Sequence, residues 1–109
     1  MIAREWRCRC PKDTCDAFIK HIYKTVMRQT QSIRGCKGAQ LLRRDIGECM
    51  EITLLTYWDS LQSVIRFSGK DYERAQLHPE YYDYGIIPDH EVAHYDVVEV
   101  LDVQYIPGE

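Results

Sequence analysis

The chain has 109 residues, a formal net charge of -3 and a pI near 5.8. That length suits one domain around a single core, and the acidic balance argues against a nucleic-acid partner, which calls for a basic stripe that displaces phosphate counterions. No apolar run approaches the roughly 20 residues that cross a bilayer, and the first residues hold no signal-like apolar block, so the expectation is a soluble, cytoplasmic protein without membrane contact. Five cysteines, an odd number without repeated spacing, exclude a complete internal disulfide framework and suit a reducing compartment.

In chain order, Ile2 to Cys10 alternates as a strand that Pro11 ends. Asp13 or Thr14 can cap a helix whose apolar positions Cys15, Phe18, Ile19, Ile22, Val26 and Met27 recur three and four apart, carrying it to about Ser32. Gly35 and Gly38 turn the chain into a strand over 39–44, and the turn Asp45, Ile46, Gly47, Glu48 leads into a strand over 49–58, predicting an antiparallel hairpin. That second strand is largely apolar on both faces, with Met50, Ile52, Leu54, Thr56 and Trp58 alternating against Glu51, Thr53, Leu55 and Tyr57. Asp59 or Ser60 then caps a helix from 60 to 67 with Leu61, Val64, Ile65 and Phe67 on one side, and Gly69 breaks it. Residues 71–75 can start another helical turn, 78–89 read as an irregular tyrosine-rich connection, and 91–100 read as the last strand. Residues 101–106 either extend that strand or form a separate short one before Pro107.

Strand, helix, strand, strand, helix, strand is the ferredoxin-like βαββαβ order, an α+β fold with a four-stranded antiparallel sheet. Helices cover one face of such a sheet only. The apolar residues predicted on the other face imply a homodimer in which two sheets meet as a barrel-like core. The whole chain, 1–109, is read as one domain, with 101–109 a tail at the dimer interface.

Several motifs carry a family resemblance: Met1, Ile2, Ala3 and Arg4 leading to Trp6; the Trp58, Asp59, Ser60 turn; the Phe67 to Gly69 helix end; and His94 and Tyr95 followed by Val97 and Val98. Together they resemble the antibiotic biosynthesis monooxygenase-like (ABM) proteins of the dimeric α+β barrel superfamily, over nearly the whole chain. The resemblance implies a small homodimer and, for members of known activity, either cofactor-free oxygenation of polyphenols or quinols or the degradation of heme. The heme-degrading pattern has an asparagine on the first strand, a tryptophan on the second helix and a histidine after it. This chain has Trp6, Phe67 and, about one residue off, His78 at those places, so heme degradation is the less favoured branch.

Cofactor-free oxygenation needs an apolar cavity with a few polar groups aimed inward. The candidates are Trp6, Phe67, Tyr72 and Tyr81 as ring-binding walls, Arg4 as the holder of a phenolate, and His78 or His94 as the base, since imidazole titrates near neutral pH. His94 and Asp96 share a strand face about 7 Å apart, which suits either a base with its orienting carboxylate or a buried polar pair. Tyr81, Tyr82 and Tyr84 suit a lid or a subunit contact. The cysteines read as structural, Cys8-x-Cys10 lacks the second ligand pair of a zinc site, and neither metal nor cofactor is expected. The leading reading is therefore a cofactor-independent monooxygenase acting on a planar aromatic, quinol or polyketide-like molecule. The alternative is a non-catalytic small-molecule binder or assembly protein of the same fold.

Overall fold

Strict alternation makes the first strand, β1 (Ile2–Cys10): Arg4, Trp6, Cys8 and Cys10 are buried while Arg7 and Arg9 are exposed, the pattern of a sheet with one covered face. The computed structural model describes residues 1–105 and 107. The next element is one helical column in three parts: α1 (Cys15–Ile22), a π-helical turn over Tyr23–Met27, and α2 (Arg28–Thr30). Phe18 and Ile22 are fully buried against the sheet. Thr14 occupies the N-cap position without a side-chain cap bond; its hydroxyl donates instead to the Tyr84 carbonyl at 2.6 Å.

The predicted hairpin forms from β2 (Cys36–Asp45) and β3 (Met50–Trp58), in register Leu41 to Leu54 and Ala39 to Thr56. β2 starts three residues earlier than the alternation suggests, through a bulge between Cys36 and Gly38. In the turn, the Asp45 carboxylate accepts the Gly47 amide at 2.8 Å. Ser60 caps α3 (Leu61–Ser68), its Oγ accepting from the Ser63 amide at 3.2 Å. Val64 is fully buried, and Phe67 lies 4.9 Å from Trp58, ring centroid to centroid. A 3-10 helix (Pro79–Tyr84) follows, then two short strands, β4 (Ile87–Pro88) and β5 (Ala93–Asp96).

The sheet order is β2-β3-β1-β4, with β5 also on β1, and every pairing is antiparallel. Two expectations are corrected here. The sheet has five strands rather than four, because the last edge is split: β4 pairs with Cys8 and Arg9 and β5 with Ile2 to Glu5. It is also open, not a barrel, since β2 and the β4/β5 edge lie at opposite ends and do not pair.

Three local differences stand out. Residues 71–75 make no helix because their backbone pairs elsewhere: Ala75 donates to the His90 carbonyl and Val92 to the Glu73 carbonyl, bridging Arg74 to Glu91. The last strand is shorter than 91–100: Ala93–Asp96 pair with Ile2 to Glu5, and the Val97 amide donates to the Met1 carbonyl where the chain leaves the sheet. Residues 98–105 are exposed without regular structure, and Ile106, where the predicted extra strand was to end, lies outside the described residues.

The uncovered face is mixed rather than apolar. Ala3, Leu42, Leu55, Tyr57 and Tyr95 alternate with charged side chains there, including the Arg44–Glu51 pair at 2.9 Å, and the Tyr95 hydroxyl donates to Glu5 at 3.1 Å.

Gly35 closes the α2–β2 connection against the start of α3. Its φ is +90°, and a Cβ there would lie 2.3 Å from Ser63 Oγ. The left-handed backbone alone costs about 1–2 kcal/mol for another residue, and the Ser63 hydroxyl is itself bonded to Asp59. Gly35→Ala is expected to lower the melting temperature by roughly 10 °C, measured by circular dichroism.

Candidate functional site

Between the covered face of the sheet and its helices lies a cleft of about 170 Å³. Its floor is Arg4 and Trp6 of β1 with Leu54 and Thr56 of β3. Val26, Gln29 and Thr30 form one wall, Phe67 at the end of α3 another, and Gln76, His78, Tyr81 and Val92 the rim and remaining side. A dry cavity of about 150 Å³ takes one benzene, so this cleft is of single-ring size.

Five of the residues singled out in the sequence meet here: Arg4, Trp6, Phe67, His78 and Tyr81. The two others, Tyr72 and His94, do not line the cleft. They stand behind Arg4, whose Nη1 donates to the Tyr72 carbonyl and to His94 Nε2, the latter at 3.0 Å, while Nη2 donates to the Arg74 carbonyl at 3.2 Å. The Tyr72 and His94 rings meet edge to face at 5.5 Å.

This geometry assigns the His94 tautomer. A guanidinium only donates, so Nε2 is the acceptor and the ring proton sits on Nδ1. Burial first, then the Arg4 charge, moves the His94 pKa below the ordinary imidazole range, with Glu73 opposing. The lone pair a base would use is therefore occupied by Arg4. Asp96, expected as a possible partner of His94, is exposed and makes no hydrogen bond to it among the described residues. Arg4 is only 6% exposed, and burial lowers its pKa to about 10, which leaves it charged at neutral pH.

The aromatic residues divide by task. The Trp6 indole N–H donates to the Asp89 carbonyl at 2.8 Å, pinning the loop after β4 to the floor and leaving only the ring for the cleft. Tyr81 is buried among Trp6, Phe18 and His21, with the His78 ring edge-on at 5.2 Å. Its pKa is pushed up to about 12, mainly by burial, so it stays a neutral phenol. Of the other two tyrosines, Tyr82 is exposed and Tyr84 packs on Phe18 and His21. His78 is exposed at the rim.

The cysteines are all free, and Cys8, Cys10 and Cys15 lie in the core. Burial pushes the Cys8 thiol up to about 12, which makes it a poor thiolate. Gln29, Thr30, Thr56 and Gln76 belong to the lining and were not singled out. Thr56 was legible as a polar interruption in an apolar strand face. The glutamines, lying on a helix end and in a loop, gave no such signal.

No family sequence model matches the chain, and no curated protein resembles it significantly in sequence. Solved structures do match. A proposed antibiotic biosynthesis monooxygenase of Deinococcus radiodurans superimposes with TM-score 0.61 at 12% identity, covering 96% of this chain and 100% of that one. A counterpart from Bacillus cereus gives 0.60 at 16%, covering 97% and 98%. MhuD of Mycobacterium tuberculosis, a heme-degrader with two hemes bound in its active site, gives 0.57 at 16%, covering 95% and 100%. The fold is that of the ABM-like proteins. No helix among the described residues is long and apolar enough to cross a membrane.

The depressed His94 pKa has a definite sign. Between about pH 6.5, the unfolded value, and the lower native value, the unfolded chain binds the proton and the native chain does not. Stability from this group is therefore full above the unfolded pKa and is lost as pH falls through that window. His94→Gln keeps an acceptor for Arg4 without titrating. Urea midpoints measured from pH 8 to 5 are expected to fall less steeply in the variant than in the parent.

Proposed function

We propose that the cleft binds a flat, electron-rich aromatic of about one ring, such as a quinol or the reacting ring of a polyketide-like molecule, and that the protein oxidises it with dioxygen without a bound cofactor. The observation that carries this reading is a single-ring cleft with Trp6, Leu54 and a buried, charged Arg4 in its floor and Phe67 in one wall. In such a reaction the substrate supplies all the electrons: the CH₂ of an anthrone-type ring becomes C=O, or a quinol becomes a hydroxyquinone, and in either case one atom of dioxygen enters the product and the other leaves as water. What remains for the protein is to hold the ring, stabilise its anion and keep water away from it.

Each residue has a part in this. Trp6 and Phe67 hold the ring faces, Tyr81 supports both Trp6 and His78, and His78 stands where a proton must leave. His94 and the Tyr72 carbonyl position Arg4. Heme fits the cleft poorly, since a tetrapyrrole far exceeds one ring and Trp6 and Phe67 occupy the places where the heme-degrading pattern has asparagine and tryptophan. Against the non-catalytic alternative stands the fact that Tyr81 packs sideways into the core and Tyr72 lies outside, so neither fills the cleft.

A homodimer is part of the same reading. Ala3, Leu55 and Tyr57 at the centre of the uncovered face favour an isologous contact there, with the surrounding charges as its rim. Sedimentation equilibrium at micromolar concentration should give twice the chain mass, and Leu55→Arg should give the monomer.

Activity has its own test. Oxygen uptake with a panel of anthrones and quinols should show turnover that Phe67→Ala raises in KM and His78→Ala lowers about 100-fold in kcat. Turnover with no member of the panel, in a folded protein, speaks for the non-catalytic binder.

A further inference from the structure

Among the described residues, Arg4 is the charged side chain that the core buries. Its three acceptors, the Tyr72 and Arg74 carbonyls and His94 Nε2, are all neutral, and it takes part in none of the ion pairs among the described residues. Five N–H groups less three used leaves Nε–H and one Nη2 N–H without an acceptor among the described residues, and neither nitrogen is a fully buried atom lacking a partner, so both N–H groups are open to a ligand. Other ionisable groups nearby do not cancel the charge. Glu73 acts on His94 from an exposed position, the Arg74 side chain is exposed and of the same sign, and His78 and Tyr81 bring no negative charge at neutral pH.

A buried charge without a counter-ion is destabilising, and here it lines the cleft. A ligand oxyanion removes both deficits, giving the two N–H groups their acceptors and the guanidinium its counter-ion through charge-assisted hydrogen bonds.

We infer that the cleft takes its aromatic ligand as an oxyanion seated on the two remaining N–H groups of Arg4, and that Arg4, not a histidine, ionises a bound phenol. The inference rests on the cleft being an aromatic-binding site and adds the charge state of what it binds. His94 has no free lone pair on Nε2 while Arg4 occupies it. The phenol O–H proton passes to water at the mouth, where His78 stands, and no other bond changes. His78 then governs how fast the proton leaves, while Arg4 governs whether the bound ligand is ionised.

The probe is para-nitrophenol, whose phenol and phenolate absorb at different wavelengths, with nitrobenzene as its uncharged counterpart. Titrated with protein at a pH well below its own pKa, the probe should develop the phenolate band, its bound pKa lying at least about one unit below the free value, a tenfold preference for the anion. His78→Ala should keep this shift, Arg4→Lys should keep most of it, and Arg4→Gln should bind the probe as the neutral phenol. The parent protein's spectrum decides even if Arg4→Gln does not fold. Probe bound as neutral phenol, a shift lost in His78→Ala, or nitrobenzene binding as tightly as the phenolate overturns the inference and leaves the aromatic site standing. Failure of both probes to bind overturns the two together.

Discussion

Arg4 fastens together segments that backbone pairing has already brought side by side, β5 on β1 and residues 73–75 on 90–92. It sits on β1, yet its guanidinium holds the carbonyls of Tyr72 and Arg74 in the loop after α3 and the ring of His94 on β5. These contacts span 68 to 90 residues of sequence. Without the cation, two part-buried carbonyls and one imidazole nitrogen would lose a donor together, where a fully buried group left unsatisfied costs about 1–3 kcal/mol. The same residue also lines the cleft. The group that organises this end of the fold and the group that best explains a ligand's charge are one side chain.

The opposite wall depends on the helical column. Phe18, Ile22, Val26 and Thr30 are four residues apart, and in an α-helix each such step overruns a turn by roughly 40°. The wider π turn over Tyr23–Met27 takes back part of that drift, so that Val26 and Thr30 reach the cleft while Phe18 and Ile22 remain in the core. π turns often accompany functional sites, and here the consequence is a wall with two polar groups, Gln29 and Thr30, at its end. Tyr81 completes the support, linking Trp6 in the floor to His78 at the rim by ring contacts.

Legibility followed the range of the interactions. The hairpin, the Ser60 cap and the apolar stripe of α1 depend on neighbours within a few residues, and periodicity shows them. The split of the last edge into β4 and β5 could not be read, because it depends on which parts of β1 remain unpaired once β3 has taken its other side. The missing helical turn at 71–75 has a similar origin, in pairing with residues 90–92. The barrel expectation assumed a broad apolar back face. The mixture of Glu5, Arg44 and Glu51 with Leu55 and Tyr57, and the two unpaired edges, describe an open sheet instead. In the site, Arg4, Trp6, Phe67, His78 and Tyr81 were chosen for their chemistry, but only coordinates separate the cleft-lining residues from Tyr72 and His94 behind them.

By itself, the sequence determined the order of the main elements, which residues share a face on β1 and on β3, and the chemical types available to a site, because alternation, helical spacing and capping are local properties of the chain. The tertiary structure alone decided that His94 gives its lone pair to Arg4, that Trp6 commits its N–H to Asp89, and that Arg4 is buried without a carboxylate partner among the described residues. Each of these depends on hydrogen-bond partners that distant segments bring together, and no local pattern records which donor will meet which acceptor.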